Sequence, residues 1–215
     1  MRTSIPASLC MILAAALLLT ACQKRLRQPQ QPSIPYSMKI GVAEFTQPTT
    51  NSELLAGILP EDQGRVPDDV LTRLNSVLRR DLGATKRLYT FLPGRPKPSF
   101  GSYHESGRPQ GIATWTAYGK QFHVDLLLVP QVINWHQRQG SSAGVTQSAH
   151  VRVEFFLIDL AAGRLVGRSA YEEKQVGLVD NILGVGDFLK RRGSWVTAEE
   201  LTQEAVAKAI KELGL

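Results

Sequence analysis

Cysteine is scarce in this 215-residue chain: there are two, and Cys10 lies in an N-terminal apolar run expected to be removed. With Cys22 alone remaining, an intramolecular disulfide framework and a cysteine-rich metal site are both excluded. A membrane-spanning run is also lacking. The apolar stretch Leu9 to Leu19 has about a dozen residues, where a spanning helix needs roughly 20. The four histidines, His104, His123, His136 and His150, form no i, i+4 pair and no Cys/His cluster, so neither a metal nor another cofactor is expected. Acidic residues are outnumbered 19 to 25, for a formal charge of +6. Part of that excess sits in Lys24-Arg25-Leu26-Arg27, read as a contact for anionic headgroups or cell-wall acids and not for nucleic acid.

What the N-terminus does have is a charged start (Met1-Arg2), the apolar run, and then Leu19-Thr20-Ala21-Cys22, the three regions of an export signal in order. The last four residues resemble the bacterial lipobox. That resemblance implies removal of residues 1–21, a diacylglyceryl thioether on Cys22 and further acylation, palmitate included. Two or more chains anchor stably where one binds marginally. The sorting rule that accompanies the resemblance retains Asp after the cysteine at the inner membrane. Gln23 therefore implies the periplasmic face of the outer membrane, or the cell membrane where no outer one exists.

Residues 22–37 are rich in Pro, Gln and basic residues and poor in apolar ones, which predicts a linker. Proline-rich chain extends by about 3.1 Å per residue, so this tether reaches ~45 Å. Residues 38–215 are expected to form one domain. Met38–Thr46 alternates as a strand buried on both faces, with Ile40 and Val42 on one side and Gly41, Ala43 and Phe45 on the other. Pro67-Asp68-Asp69 opens a helix carrying Val70, Leu71, Leu74, Val77, Leu78 and Leu82, closed by Arg79, Arg80 and Gly83. A short strand follows around Leu88, Tyr89 and Phe91, then a helix over 110–122 with Gly119 as a weak point. Val124–Ile133 reads as a central strand. A long strand over 145–160 puts Val151, Val153, Phe155 and Leu157 on one face, and Arg152 and Glu154 on a half-exposed one. Asp159–Arg164 is a turn with Gly163 free to adopt positive φ, and 165–176 returns as a hairpin partner. Thr197 and Glu200 form a capping box for a last helix buried through Leu201, Ala205, Val206, Ala209, Ile210 and Leu213. The expected class is α/β: a mixed five-stranded sheet in the order β-α-β-α-β-β-β-α, helices packed on it, ending in an antiparallel meander.

Ile40–Phe45, Phe122–Val132 and Val151–Asp159 with Gly163–Val166 together resemble the periplasmic fold shared by the lipoproteins CsgG and PelC and the N-terminal domain of TolB. The likeness covers about 39–213 and its motifs are structural. It implies an envelope domain acting through partners. No long amphipathic hairpin is present, so it does not imply a channel. Asp180–Trp195 departs from the pattern as an insertion.

Catalytic patterns are weak. Gly184-Val185-Gly186 is half a dinucleotide fingerprint with Leu189 where a third glycine belongs. Asp125 and Asp159 could serve as acid or base, yet no Gly-x-Ser-x-Gly elbow accompanies them and Asp159 suits a turn. The expectation is a non-enzymatic, lipid-anchored interaction or assembly module of the cell envelope, serving export or envelope-assembly machinery and binding an envelope protein or itself. Its candidate docking surface for partner or lipid is Phe188, Leu189, Lys190, Arg191, Arg192 and Trp195, apolar beside basic. The alternative is a module binding cell-wall glycan or a small ligand, with Arg95, Lys97 and Arg108 as contacts and a pocket lined by Trp115, Tyr118 and Trp135.

Overall fold

A computed structural model of the chain describes residues 34–50, 53–96, 111–141, 145–175 and 196–215. Along them run β1 (Ile40–Val42), α1 (Asp68–Gly83), β2 (Tyr89–Phe91), α2 (Gly111–Lys120), β3 (Leu126–His136), β4 (Gln139–Gly140), β5 (Val145–Gln147), β6 (His150–Asp159), β7 (Arg164–Lys174) and α3 (Ala198–Leu213). The main sheet has the order β2-β1-β3-β6-β7. β1 is parallel to β2 and β3, because α1 and α2 carry the long crossings that parallel pairing requires. β3, β6 and β7 form the antiparallel meander. The mixed five-stranded α/β sandwich is the class expected.

Helices on both faces explain why β3 is buried along almost its whole length. On one face α1 (Leu71, Leu74, Leu78) and α3 (Leu201, Ala205, Val206) cover Ile40, Leu128, Val153 and Phe155. On the other, α2 (Trp115, Tyr118) and Leu55 cover Leu127, Val129, Phe156 and Ile158. Each fully buried side chain of this size contributes roughly 1.5–3 kcal/mol.

Pro130 stands in this central strand although proline cannot donate to a ladder. β1 stops at Val42, opposite Leu128, and Pro130 falls beyond it. Its carbonyl, facing the side that β1 has vacated, accepts from Thr46 N at 3.2 Å. The missing N–H therefore breaks no strand pairing. Past that point the 47–66 loop replaces β1 as the neighbour of β3, held by polar side chains. Gln131 Oε1 accepts from Leu55 N and its Nε2 donates to Glu53 O, while Asn134 Oδ1 accepts from Gly64 N at 3.0 Å.

The best local signals appear as expected. Thr197 Oγ1 accepts from Glu200 N at 3.2 Å and Thr197 N donates to Glu200 Oε2 at 2.7 Å, completing the capping box. Gly163 takes φ 62° in the β6–β7 turn, where Asp159 Oδ1 accepts from Ala162 N. Four expectations need correction. The strand expected over 145–160 is broken at Ser148-Ala149, and its first part pairs with β4 as a separate two-stranded ladder. Leu88 is not a strand centre: β2 begins at Tyr89, and Leu88 is 91% exposed. Glu154 is not half exposed but fully buried. The helix expected over 110–122 ends at Lys120, just past Gly119, where a Cβ would lie 2.8 Å from Leu160 Cδ2.

Candidate interaction surface

The residues expected to form the export signal and lipobox (Leu19, Thr20, Ala21, Cys22) and the docking candidates Phe188, Leu189, Lys190, Arg191, Arg192 and Trp195 lie outside the described residues. So do Lys97 and Arg108, while Arg95 is exposed just past β2. What the structure does describe is residues 34–36, at the end of the segment expected to be a linker. Ile34 packs against the α1/α3 core, four residues before the domain was expected to start. Arg87, itself buried, donates from Nη2 to Ile34 O at 2.6 Å and from Nη1 to Pro35 O at 3.0 Å. Its guanidinium also stacks on Tyr36, 4.7 Å from the ring centre. The register Ile40↔Tyr89 puts Lys39 beside Leu88. This end of the parallel strands therefore presents Tyr36 (77% exposed) and Leu88 next to exposed Lys39 and Lys86.

A second charged feature lies on the α2-side face of β6 and β7. Buried Glu154 is held between two arginines. Arg152 Nη2 reaches its Oε1 at 2.8 Å and Arg168 Nη2 its Oε2 at 2.7 Å. A carboxylate out of water needs such charged donors on both oxygens. One acid against two bases leaves the group net positive, with both guanidiniums held in place. Farther along, His136 and His150 are register partners whose rings stack at 5.8 Å. His136 Nε2 lies 2.9 Å from Asp62 O, and His150 Nε2 lies 3.4 Å from Glu172 Oε1. Among the described residues, no three His, Cys, Asp or Glu side chains come together to hold a metal ion.

The aromatic residues named for a ligand pocket are separated by the sheet. Trp115 and Tyr118 belong to the α2-side core and Trp135 to the α1/α3 side, all three buried. They cannot line one pocket. Burial raises the Tyr118 hydroxyl above its ordinary range, and it donates to Pro93 O at 2.9 Å. Asp125 accepts from Lys39 N at 2.7 Å and serves as a strand-end brace. A small cleft of about 10 Å³, lined by Val42, Glu44, Asn75, Arg79 and Phe91, opens at the ends of β1 and β2. That is below the roughly 300–1,000 Å³ of a typical ligand pocket.

A mixed five-stranded sheet with helices packed on both faces defines the class: an α/β sandwich domain. Among solved structures, the chain is similar to a PelC dodecamer from Paraburkholderia phytofirmans, at 15% identity, 87% of this chain, 94% of that one and a TM-score of 0.48. It is similar to lipoprotein GNA1162 from Neisseria meningitidis at 13% identity, covering 73% and 94% with a TM-score of 0.34. It is also similar to the LpoB C-terminal domain from Salmonella enterica at 9% identity, covering 68% and 89% with a TM-score of 0.35. No protein-family model matches the chain, and no curated protein matches it in sequence. Among the described residues, no helix is long and apolar enough to cross a membrane.

Proposed function

We propose that this chain is a lipid-anchored, non-enzymatic module of the bacterial cell envelope, held on Cys22 at the periplasmic face of the outer membrane and acting by binding other envelope proteins or itself. The observation that carries the reading is the junction at Arg87. A lipobox-like Leu19-Thr20-Ala21-Cys22 precedes a proline-rich tether, and the domain grips that tether by its last residues, Ile34 to Tyr36. Exposed Tyr36 and Leu88 with Lys39 and Lys86 at the same end suit a surface near apolar chains and anionic headgroups. The 188–195 segment remains a proposed docking surface. The ligand-binding alternative loses its aromatic pocket, because Trp135 stands across the sheet from Trp115 and Tyr118.

The test is fractionation of a Gram-negative cell expressing the full chain. The parent is expected to band with outer membrane, Cys22→Ser to appear in the soluble periplasmic fraction, and Gln23→Asp to move to inner membrane. Identical distribution of the parent and Cys22→Ser would rule out the anchor.

A further inference from the structure

β7 is an outer strand of the main sheet and is 11 residues long. Its register says which backbone groups face outward. Gln175 N donates to Ala149 O at 3.0 Å, continuing a ladder in which Lys174 faces His150. Bonded and non-bonded pairs alternate between antiparallel strands. Ser169, Tyr171 and Glu173 therefore bond to β6, while Arg168, Ala170, Glu172 and Lys174 turn their N–H and C=O groups away from it. Lys208 supports this independently: its Nζ donates to Ala170 O at 2.6 Å. Among the described residues, no further strand pairs with this row.

The same four positions carry exposed side chains on one face. Arg168 and Glu172, of opposite sign, stand two residues either side of small Ala170. A two-fold axis through Ala170 would set Ala170 against its copy and Arg168 against Glu172 twice over, with all outward backbone groups in bonding phase. Shifting the pairing by two residues one way opposes Arg168 to Lys174, and the other way opposes it to Ala170. Either shift loses both ion pairs. Like charges along the row would only have protected the edge; this pattern is self-complementary.

We propose that β7 pairs antiparallel with β7 of a second copy of this chain, Ala170 opposite Ala170, joining two sheets across a two-fold axis. The proposal rests on the reading as an interaction module and names its partner. Arg168 keeps Glu154 through Nε and Nη2, and its Nη1 turns to Glu172 of the second copy. Lys208 yields Ala170 O to the second copy's N–H, having shielded the edge in the unpaired chain. Anchoring both copies in one membrane raises their effective concentration, so a short contact suffices.

Disulfide capture at the axis tests it. In the full chain, Ala170→Cys puts two Cα atoms about 5.5 Å apart in a hydrogen-bonded pair, within disulfide range. Mild oxidation of membranes is expected to yield a covalent dimer with Ala170→Cys, and little with Lys174→Cys, whose mate would be Val166. Adding Glu172→Lys opposes like charges at both symmetric sites and is expected to lower the Ala170→Cys yield about tenfold. Equal yields from Ala170→Cys and Lys174→Cys, or indifference to Glu172→Lys, overturn the pairing. The parent chain alongside separates this from failure of the anchor: a dimer there reports an unblocked Cys22 thiol, and the β7 contact is then read from Ala170→Cys combined with Cys22→Ser.

Discussion

Replacing Arg87 by alanine removes the group that holds residues 34–36 to the domain while leaving the sheet's own pairing intact. Two hydrogen bonds from a charged donor are lost, at 3.0 Å to Pro35 O and 2.6 Å to Ile34 O, together with the stack on Tyr36. Charged hydrogen bonds are worth about 1.5–3 kcal/mol each and an exposed cation–π contact about 0.5–1. Both carbonyls are part-buried and can turn to water once the arginine is gone, which returns most of that. A net loss of about 2 kcal/mol is expected, equivalent to roughly 30-fold in a local opening equilibrium. The assay is hydrogen exchange at Met38, whose N–H donates to Pro35 O at 3.1 Å and so reports the strap directly. Its protection is expected to fall about 30-fold in Arg87→Ala, with core amides of β3 and β6 little changed. Arg87→Lys keeps the charge but not the fork, and an intermediate loss is expected. Unchanged Met38 protection in Arg87→Ala would mean that Ile34 packing alone holds the segment, and the grip ascribed to Arg87 would be refuted.

Other perturbations probe the frame around that junction. In Gly64→Ala a Cβ would stand 1.8 Å from Trp135 O, so the loop must back away from Asn134 and Gln47. A loss of about 2–4 kcal/mol is expected in thermal melts, against a slight gain for Gly83→Ala, which meets open space. Glu154→Gln keeps the shape but removes the charge between Arg152 and Arg168, whose side chains are 30% and 43% exposed. That exposure discounts the cost to about 1–3 kcal/mol, read as a lowered urea midpoint; an unchanged midpoint refutes it. The hydrogen bond from Arg73 holds the Asp69 carboxyl below its ordinary value of 3.8. A lowered folded-state value adds stability above the unfolded one, lost as pH falls through the folded one. Asp69→Asn is therefore expected to melt below the parent at about pH 6 in low salt and to converge with it near about pH 2. A gap that persists in acid contradicts this.

Local signals were legible in the chain. The Thr197–Glu200 box, the Gly163 turn and the apolar spacing of α1 each involve residues within a few positions, and all are present. The layer order followed from long buried runs such as Leu126–Val132, which only a sheet covered on both faces accommodates. Features set by register stayed hidden. Glu154 reads as an exposed alternate residue until β7 supplies Arg168 beside it, and His136 meets His150 only through strand pairing. The roles of Gln131 and Asn134 were not legible because the loop they hold is distant in sequence. Arg87 gave no signal of its own, since its partners are backbone carbonyls 52 and 53 residues away. Cys22 and the 188–195 candidates fall outside the described residues.

Intact-mass and peptide analysis of the protein purified from envelopes addresses the anchor most directly. A chain that starts at residue 22 and carries a diacylglyceryl thioether with an acylated amine is the outcome expected. A polypeptide still starting at Met1, or an unmodified thiol at residue 22, would contradict the proposed location and the role built on it.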